Sequence, residues 1–226
     1  IILISVPVDI SLKIVNRVLD HVAEHTLVLD VGSTKLPICN EVQNHSKRKN
    51  FLAIHPISGT ENSGPDASVK GLYTGITNIV CEKEKTGLKQ YELALSIFQK
   101  LEMKIIFMDP KVHDQHISYV SHLSHITSFI LAKTVIEKEI DEKNIFDLAG
   151  SGFESTVRLA KSSPEMWSPI FTQNKDYIIE ALSEYIDNLE VLKEMILKNE
   201  NELIINDLNN INRIKEILSG INNKRK

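Results

Sequence analysis

The groups in this chain best suited to chemistry are polar side chains at the ends of short apolar runs. His55 follows the run Asn50-Phe51-Leu52-Ala53-Ile54 and precedes Pro56, whose ring fixes the backbone beside it. An imidazole held in one place titrates near neutral pH and can take up a proton in the working range. The residues that follow, Ile57-Ser58-Gly59-Thr60-Glu61-Asn62-Ser63-Gly64, make a loop able to close over a ligand, although the same pattern also suits a surface His in a turn. Asp30-Val31-Gly32-Ser33-Thr34-Lys35 offers a glycine for close backbone approach, a hydroxyl and a cation. It reads equally as a strand-to-helix turn with Ser or Thr as the N-cap.

Two further segments carry polar groups in helical surroundings. In Ser121-His122-Leu123-Ser124-His125 the two histidines stand three apart and share a helix face. His113 and His116 repeat that spacing beside Asp114, but no H-E-x-x-H motif is present, so the set reads as the polar lining of an anionic-substrate site rather than a metal centre. Core or solvated histidines are the plainer alternative. Gly150-Ser151-Gly152-Phe153-Glu154-Ser155-Thr156-Val157-Arg158 places glycines before a helix expected from about Glu154 to Ala160, leaving backbone N–H groups for an anion. Arg158, one turn in, could fork onto a carboxylate, or stand in solvent as most arginines do.

The elements that must position these groups change character along the chain. Ile1–Val6, Thr26–Asp30, Asn50–Ile54, Asn78–Cys81 and Lys104–Met108 read as buried strands separated by helical patterns such as Leu12, Val15, Val18, Leu19 and Val22. That alternation predicts a largely parallel sheet covered on both faces, with ligands beyond the carboxyl ends of its strands. After Asp109-Pro110 the pattern is helical throughout: one long helix from about Lys111 to Glu139, then Pro164–Gln173, Lys175–Lys198 and a last helix from near Glu202. The expected fold class is α/β followed by all-α, with domains at 1–109 and 110–226. Apolar residues at helical spacing from Tyr177 to Leu218 predict broad apolar faces, read first as a dimer interface and otherwise as burial against the chain's own helices.

Composition narrows the function classes. The 226 residues are 42% hydrophobic, enough for a sizeable core. A formal net charge of -4 argues against a general nucleic-acid binder. Cys39 and Cys81 alone make no disulfide framework and no zinc set, so a cytoplasmic protein is expected. No apolar run is long enough to span a bilayer. A chain that opens on IILISVPV without an initiator Met is expected to be part of a longer polypeptide.

Taken in order, four blocks resemble the prephenate and arogenate dehydrogenase family: Asp30 to Lys35, His55 to Gly64, Ser121 to His125, and Gly150 to Arg158 continued by Ala160-Lys161-Ser162-Ser163-Pro164-Glu165-Met166-Trp167. The His-Pro-Ile-Ser-Gly-Thr-Glu block is the most specific of them, and the likeness covers about residues 1 to 175. The resemblance implies a Rossmann-type domain followed by a helical dimerisation domain, with prephenate and NAD (or NADP) as ligands and a homodimer as the assembly. It implies that His55 is the catalytic residue, assisting deprotonation of the ring 4-hydroxyl during hydride transfer, and that Ser33 contacts that hydroxyl and the His. It assigns Arg158 to a substrate carboxylate, His125, Thr60, Glu61 and Gly152 to the substrate lining, and Pro7, Gly32 and Ser33 to the cofactor side.

Three departures from the family pattern stand out. The glycine turn G-x-G-x-x-G, which that pattern places ahead of Ile1, is not in this chain. Glu154 and Ser155 occupy the place of a charged pair, and Ser124 stands where a Pro is common. Arogenate as substrate, another hydroxyacid-dehydrogenase chemistry, or a catalytically inactive dimeric binding protein are the rival readings. A polypeptide of residues 1–226 alone is therefore expected to bind NAD very weakly, since backbone N–H groups of the glycine turn supply most of the recognition of a dinucleotide's phosphates. It is expected to turn over no prephenate, yet to dimerise through the Tyr177–Leu218 stripes. Calorimetric titration with NAD and sedimentation of the same sample check both; micromolar binding would place the nucleotide site elsewhere, and a micromolar-range monomer would remove the interface.

Overall fold

The computed structural model describes residues 1–59 and 64–223. It divides into two compact units, residues 1–178 and 179–226. The first holds a five-stranded sheet in the order β1(Ile2–Ile4), β2(Val28–Asp30), β3(Phe51–Pro56), β4(Thr77–Cys81), β5(Lys104–Phe107). β1, β2 and β3 run parallel, β4 lies antiparallel to β3, and β5 is parallel to β4.

β2 to β4 carry apolar residues on both faces because both faces are covered. Phe51, Ala53, Ile79 and Cys81 turn one way, onto α1(Val8–Asp20) and α2(Leu36–Val42), packing with Val15, Leu19, Ile38 and Val42. Leu52, Ile54 and Val80 turn the other way, onto Ala94 and Phe98 of α3(Leu88–Lys100). β1 corrects the expectation of a buried strand over Ile1–Val6. It is three residues long and in this chain pairs with β2, with Ile1, Ile2 and Leu3 64%, 38% and 57% exposed and Ile4 buried.

The helical part begins where Asp109 caps α4(Pro110–Ile117), its side chain accepting from the Lys111 and Val112 N–H groups at 2.8 and 3.2 Å, with Pro110 in the first turn. The single long helix expected from Lys111 is interrupted. α4 passes through a π-helical turn at Ser118–His122 into α5(Leu123–Asp141). α6 spans Ser151–Val157, three residues earlier than expected, and leads into a 3-10 turn at Arg158–Lys161. α7(Pro164–Gln173) is capped by Ser163, whose hydroxyl accepts from the Met166 N–H at 3.3 Å.

α8(Lys175–Leu197) starts in the first unit and continues into the second, where α9(Asn201–Ile211) and α10(Ile214–Asn223) follow, two helices in place of the one expected. Ile178 and Ala181 are buried. Ile186, Leu189, Ile196, Leu203, Leu208, Ile211, Ile214 and Leu218 are exposed in the single chain. Among the described residues no helix is long and apolar enough to cross a membrane.

The end of β2 is fixed to β3 by a buried ion pair. Lys35 Nζ bonds Asp30 Oδ2 and donates to the Ile54 carbonyl at 2.7 Å, with the two side chains 0% and 1% exposed. Lys35→Met leaves the Asp30 charge buried without its partner, and breaking a buried pair in this way costs about 3–5 kcal/mol. Urea denaturation should show that loss, and the double variant with Asp30→Leu should recover most of it. A single-variant cost below about 1 kcal/mol, the scale of a surface pair, would show that the pair does not hold the turn.

Candidate functional site

His55 belongs to β3 itself, rather than to the loop after it, and stands in register with Ile79 of antiparallel β4. It lies on the sheet face that carries α1 and α2, half-buried. Its Nδ1 is 2.8 Å from His113 Nε2, and the two rings meet edge-on with centroids 5.1 Å apart. His113 in turn lies 2.7 Å through Nδ1 from Asp114 Oδ1. The Asp114 carboxylate also accepts the backbone N–H groups of Lys35 at 2.8 Å and Leu36 at 2.9 Å. It thus caps α2 from a separate helix, and no Ser or Thr does so. Thr34 instead donates its hydroxyl to Gln173 Oε1 at 2.8 Å.

Beyond Asp114 the network reaches α7 and the π-helical turn. Asn174 Nδ2 donates to the Asp114 carbonyl at 2.8 Å and stands 3.1 Å from His122 Nδ1. The His122 ring packs edge-on against Trp167, and His125 stacks on the same indole with centroids 3.5 Å apart. His125 donates Nδ1–H to the Ser121 carbonyl at 2.9 Å if that nitrogen carries its proton, since a carbonyl only accepts. His55, His113, Asp114, His122 and Asn174 therefore form one connected polar cluster under a sheet end, with Trp167 and His125 as its flat wall.

Burial sets the charge state of these rings. Desolvation pushes His55 well below the ordinary imidazole value, with repulsion from His113, Lys35 and His122 adding to it. Burial also lowers His113, opposed by its bond to the Asp114 carboxylate. His122 is pushed down to about 4, chiefly by burial. His125 is lowered by burial first, against its Ser121 bond, and further by the positive charge of Arg158. All four are neutral rings at physiological pH, able to accept a proton or donate an N–H but not to supply standing charge.

The other residues singled out from the sequence are distributed as follows. Ser33 is half-buried at the end of β2, and no hydrogen bond joins it to His55 among the described residues; the imidazole turns to His113 instead. Gly32 permits a close approach, since a Cβ there would meet Val8 Cγ1 at 3.2 Å and Asp30 Oδ1 at 3.3 Å. Pro7 is the exposed N-cap of α1. Gly152 lies inside α6 rather than in a loop before it, and its carbonyl accepts the Thr156 hydroxyl at 2.9 Å. Arg158 is exposed at the start of the 3-10 turn, close enough to His125 to disfavour its protonation. Thr60 and Glu61 lie outside the described residues. From the sequence, His113 and Asp114 were weighed as metal ligands and read instead as polar lining, without the link to His55, and Asn174 was missed. The adjacent His-Asp pair just after a capped helix start was the available signal for the first two; a single Asn at a helix junction gives none.

For a dinucleotide the residues fit one end. Pro7, Gly32 and Ser33 bring no cation of their own, which suits the positively charged nicotinamide ring of an oxidised dinucleotide. The glycine turn that would hold a pyrophosphate is not in this sequence.

A nucleotide-type α/β sheet joined to helices that bring a histidine cluster under its strand ends defines a dehydrogenase class of two-part enzymes. Comparison with known proteins is consistent along the chain. The nucleotide-binding domain of prephenate dehydrogenases matches residues 1–107 and their dimerization domain residues 109–211. The structure of prephenate dehydrogenase from A. aeolicus in complex with hydroxyphenyl propionate and NAD+ superposes with a TM-score of 0.85 at 32% identity, covering 95% of this chain and 74% of that one. Prephenate dehydrogenase of Bacillus subtilis is 28% identical over 207 residues, and cyclohexadienyl dehydrogenase of Zymomonas mobilis 23% over 206. These alignments take in 89% and 91% of this chain but 55% and 70% of the two relatives. The chain belongs to the prephenate dehydrogenase family.

The depressed histidines make a pH prediction. A ring whose folded value lies below its unfolded 6.5 binds fewer protons in the native state. Its contribution to stability is complete above about pH 6.5 and is lost as pH falls, for His122 down to about pH 4. Urea midpoints should drop through that window, and the drop should shrink in His122→Gln. A midpoint that stays flat or rises on acidification would contradict the assignment of these rings as buried and neutral.

Proposed function

We propose that this chain carries the substrate side of a prephenate dehydrogenase. The reaction is oxidative decarboxylation of prephenate to 4-hydroxyphenylpyruvate, with NAD as hydride acceptor, in a cytoplasmic homodimer. The observation that carries the reading is the placement of His55: an uncharged imidazole in β3, tied through Nδ1 to His113, with its other nitrogen left for a substrate. Family membership and the NAD+-bound state of the A. aeolicus relative support the cofactor. The dimerization-domain match and the apolar faces of α8 to α10 support the homodimer.

A bound NAD would supply the acceptor for the hydride that leaves the carbon bearing the ring hydroxyl. His55 accepts the hydroxyl proton, and Ser33 orients the oxygen that loses it. The bond from ring to carboxylate then breaks, its electron pair enters the ring, and carbon dioxide leaves. The resulting phenolate takes back the proton that His55 holds, so no net proton is released. Aromatisation makes the step strongly downhill, so the protein's work is orientation and one proton transfer. Arg158 holds a substrate carboxylate. His125 with its Trp167 platform, Gly152, Thr60 and Glu61 line the pocket, while Pro7, Gly32 and Ser33 face the nicotinamide side.

In the full-length enzyme, His55→Asn should lower turnover by roughly a hundredfold, the scale of losing a general base, with a smaller effect on KM. Arg158→Ala should raise KM and cost about 2–4 kcal/mol in kcat/KM, the scale of a lost charge-assisted pair. Steady-state rates on prephenate and on arogenate, side by side, are the measurement. Turnover of His55→Asn within a few fold of wild type removes the base. A higher kcat/KM on arogenate reassigns the substrate.

A further inference from the structure

Three N–H groups point at the Asp114 carboxylate, from Lys35, Leu36 and the His113 ring, at 2.8, 2.9 and 2.7 Å. Backbone N–H groups can only donate, so both carboxylate oxygens act as acceptors. The bond to His113 is then a ring N–H donated from Nδ1. His113 is 1% exposed and neutral, so a single ring proton remains to it and Nε2 is bare. A bare Nε2 at 2.8 Å from His55 Nδ1 can only accept, which places the His55 proton on Nδ1. His55 Nε2 is left as a lone pair. In water histidine prefers the opposite tautomer, with the proton on Nε2, and in that form His55 offers a substrate hydroxyl a donor instead of a base.

We propose that His113 and Asp114 are positioning residues that lock His55 in its Nδ1–H tautomer, so that Nε2 stands ready as the proton acceptor. The lock itself needs no substrate; its consequence for turnover rests on the function proposed above. The relay also shapes the protonated state. An imidazolium at His55 donates its Nδ1–H to His113, whose far N–H is already on the carboxylate, so the charge meets Asp114 one ring away rather than directly. Three groups that disfavour charge face His55: His113, Lys35 and His122. The arrangement thus orients the base and leaves it weakly basic, as suits a proton taken up and returned within one turnover.

The structure contains its own reference for this deduction. Asn174 Nδ2 donates to the Asp114 carbonyl, which fixes which end of the amide is nitrogen, and its second N–H faces His122 Nδ1. His122 therefore accepts at Nδ1 and carries its proton on Nε2, the opposite state to His55. Long-range proton–nitrogen correlation spectra of the protein labelled with 15N-histidine distinguish the two tautomers directly near pH 7.5. The expected result is a bare Nε2 for His55, a bare Nε2 for His113 and a bare Nδ1 for His122, with assignments from His55→Gln and His122→Gln. In His113→Leu the His55 signal should move to the Nε2–H state, and in the full-length enzyme kcat should fall about 10- to 100-fold with KM within about twofold, the range for a disoriented general base. His113→Gln, whose amide oxygen reaches the place of Nε2, should restore part of the rate. A wild-type His55 with its proton on Nε2 overturns the relay whether or not the variants fold, as does a His113→Leu enzyme of unchanged kcat. A locked His55 in an enzyme inactive on prephenate would instead leave the relay standing and remove the substrate.

Discussion

The carboxylate of Asp114 joins three parts of the molecule that share no neighbouring sequence. Its oxygens close the start of α2 through the Lys35 and Leu36 N–H groups and hold the His113 ring, while the same residue's carbonyl takes the Asn174 amide. At 1% exposure a carboxylate would be costly to bury without such partners. At the α2 start itself, Lys35 and Asp30, five residues apart, neutralise one another, and the Lys35 ammonium also reaches the Ile54 carbonyl. The strand ends, the first helical segment and the junction of α7 with α8 are thereby referred to one small set of polar bonds. Displacing Asp114 would loosen the sheet end and the histidines together.

Neutral histidine is the common currency of the site. Four rings are held below the ordinary imidazole value, and burial is the first cause for each, with neighbouring histidines adding to it for His55 and His122. A cluster of standing cations there would bind an anionic substrate but would also charge the ring proposed to accept a proton. Under the proposed function the roles separate by position, Arg158 standing at the exposed 3-10 turn and His55 in the sheet.

The sheet was legible in the sequence because β-branched and apolar runs bounded by polar turns have few other uses. The helical part was legible from its periodicity, down to the limits of α7. Two kinds of feature were not. The length of β1 was one, since apolar residues from Ile1 to Val6 do not report that pairing stops at Ile4. The connection between His113 and His122 was hidden for a geometric reason. Nine residues at about 100° each put them on opposite sides of a straight helix. The π-helical turn at Ser118–His122 inserts extra residues into the winding and rotates His122 toward Asn174 and the Asp114 side. No side-chain pattern in Ser118-Tyr119-Val120-Ser121-His122 announces that insertion.

The site is built from pairs of ring and partner rather than from isolated histidines. A histidine alone at a strand end can adopt either tautomer, and the sequence block around His55 says nothing about which. Tautomer is decided by what the second nitrogen meets, so it is a property of tertiary packing: an acceptor carboxylate relayed through His113 on one side, a donor amide from Asn174 on the other. Motif likeness singles out His55; the partners that bear on its tautomer lie in helices far along the chain. A chain sharing the His-Pro block but lacking an acceptor at position 113 would keep the resemblance and lose this partner of the His55 ring.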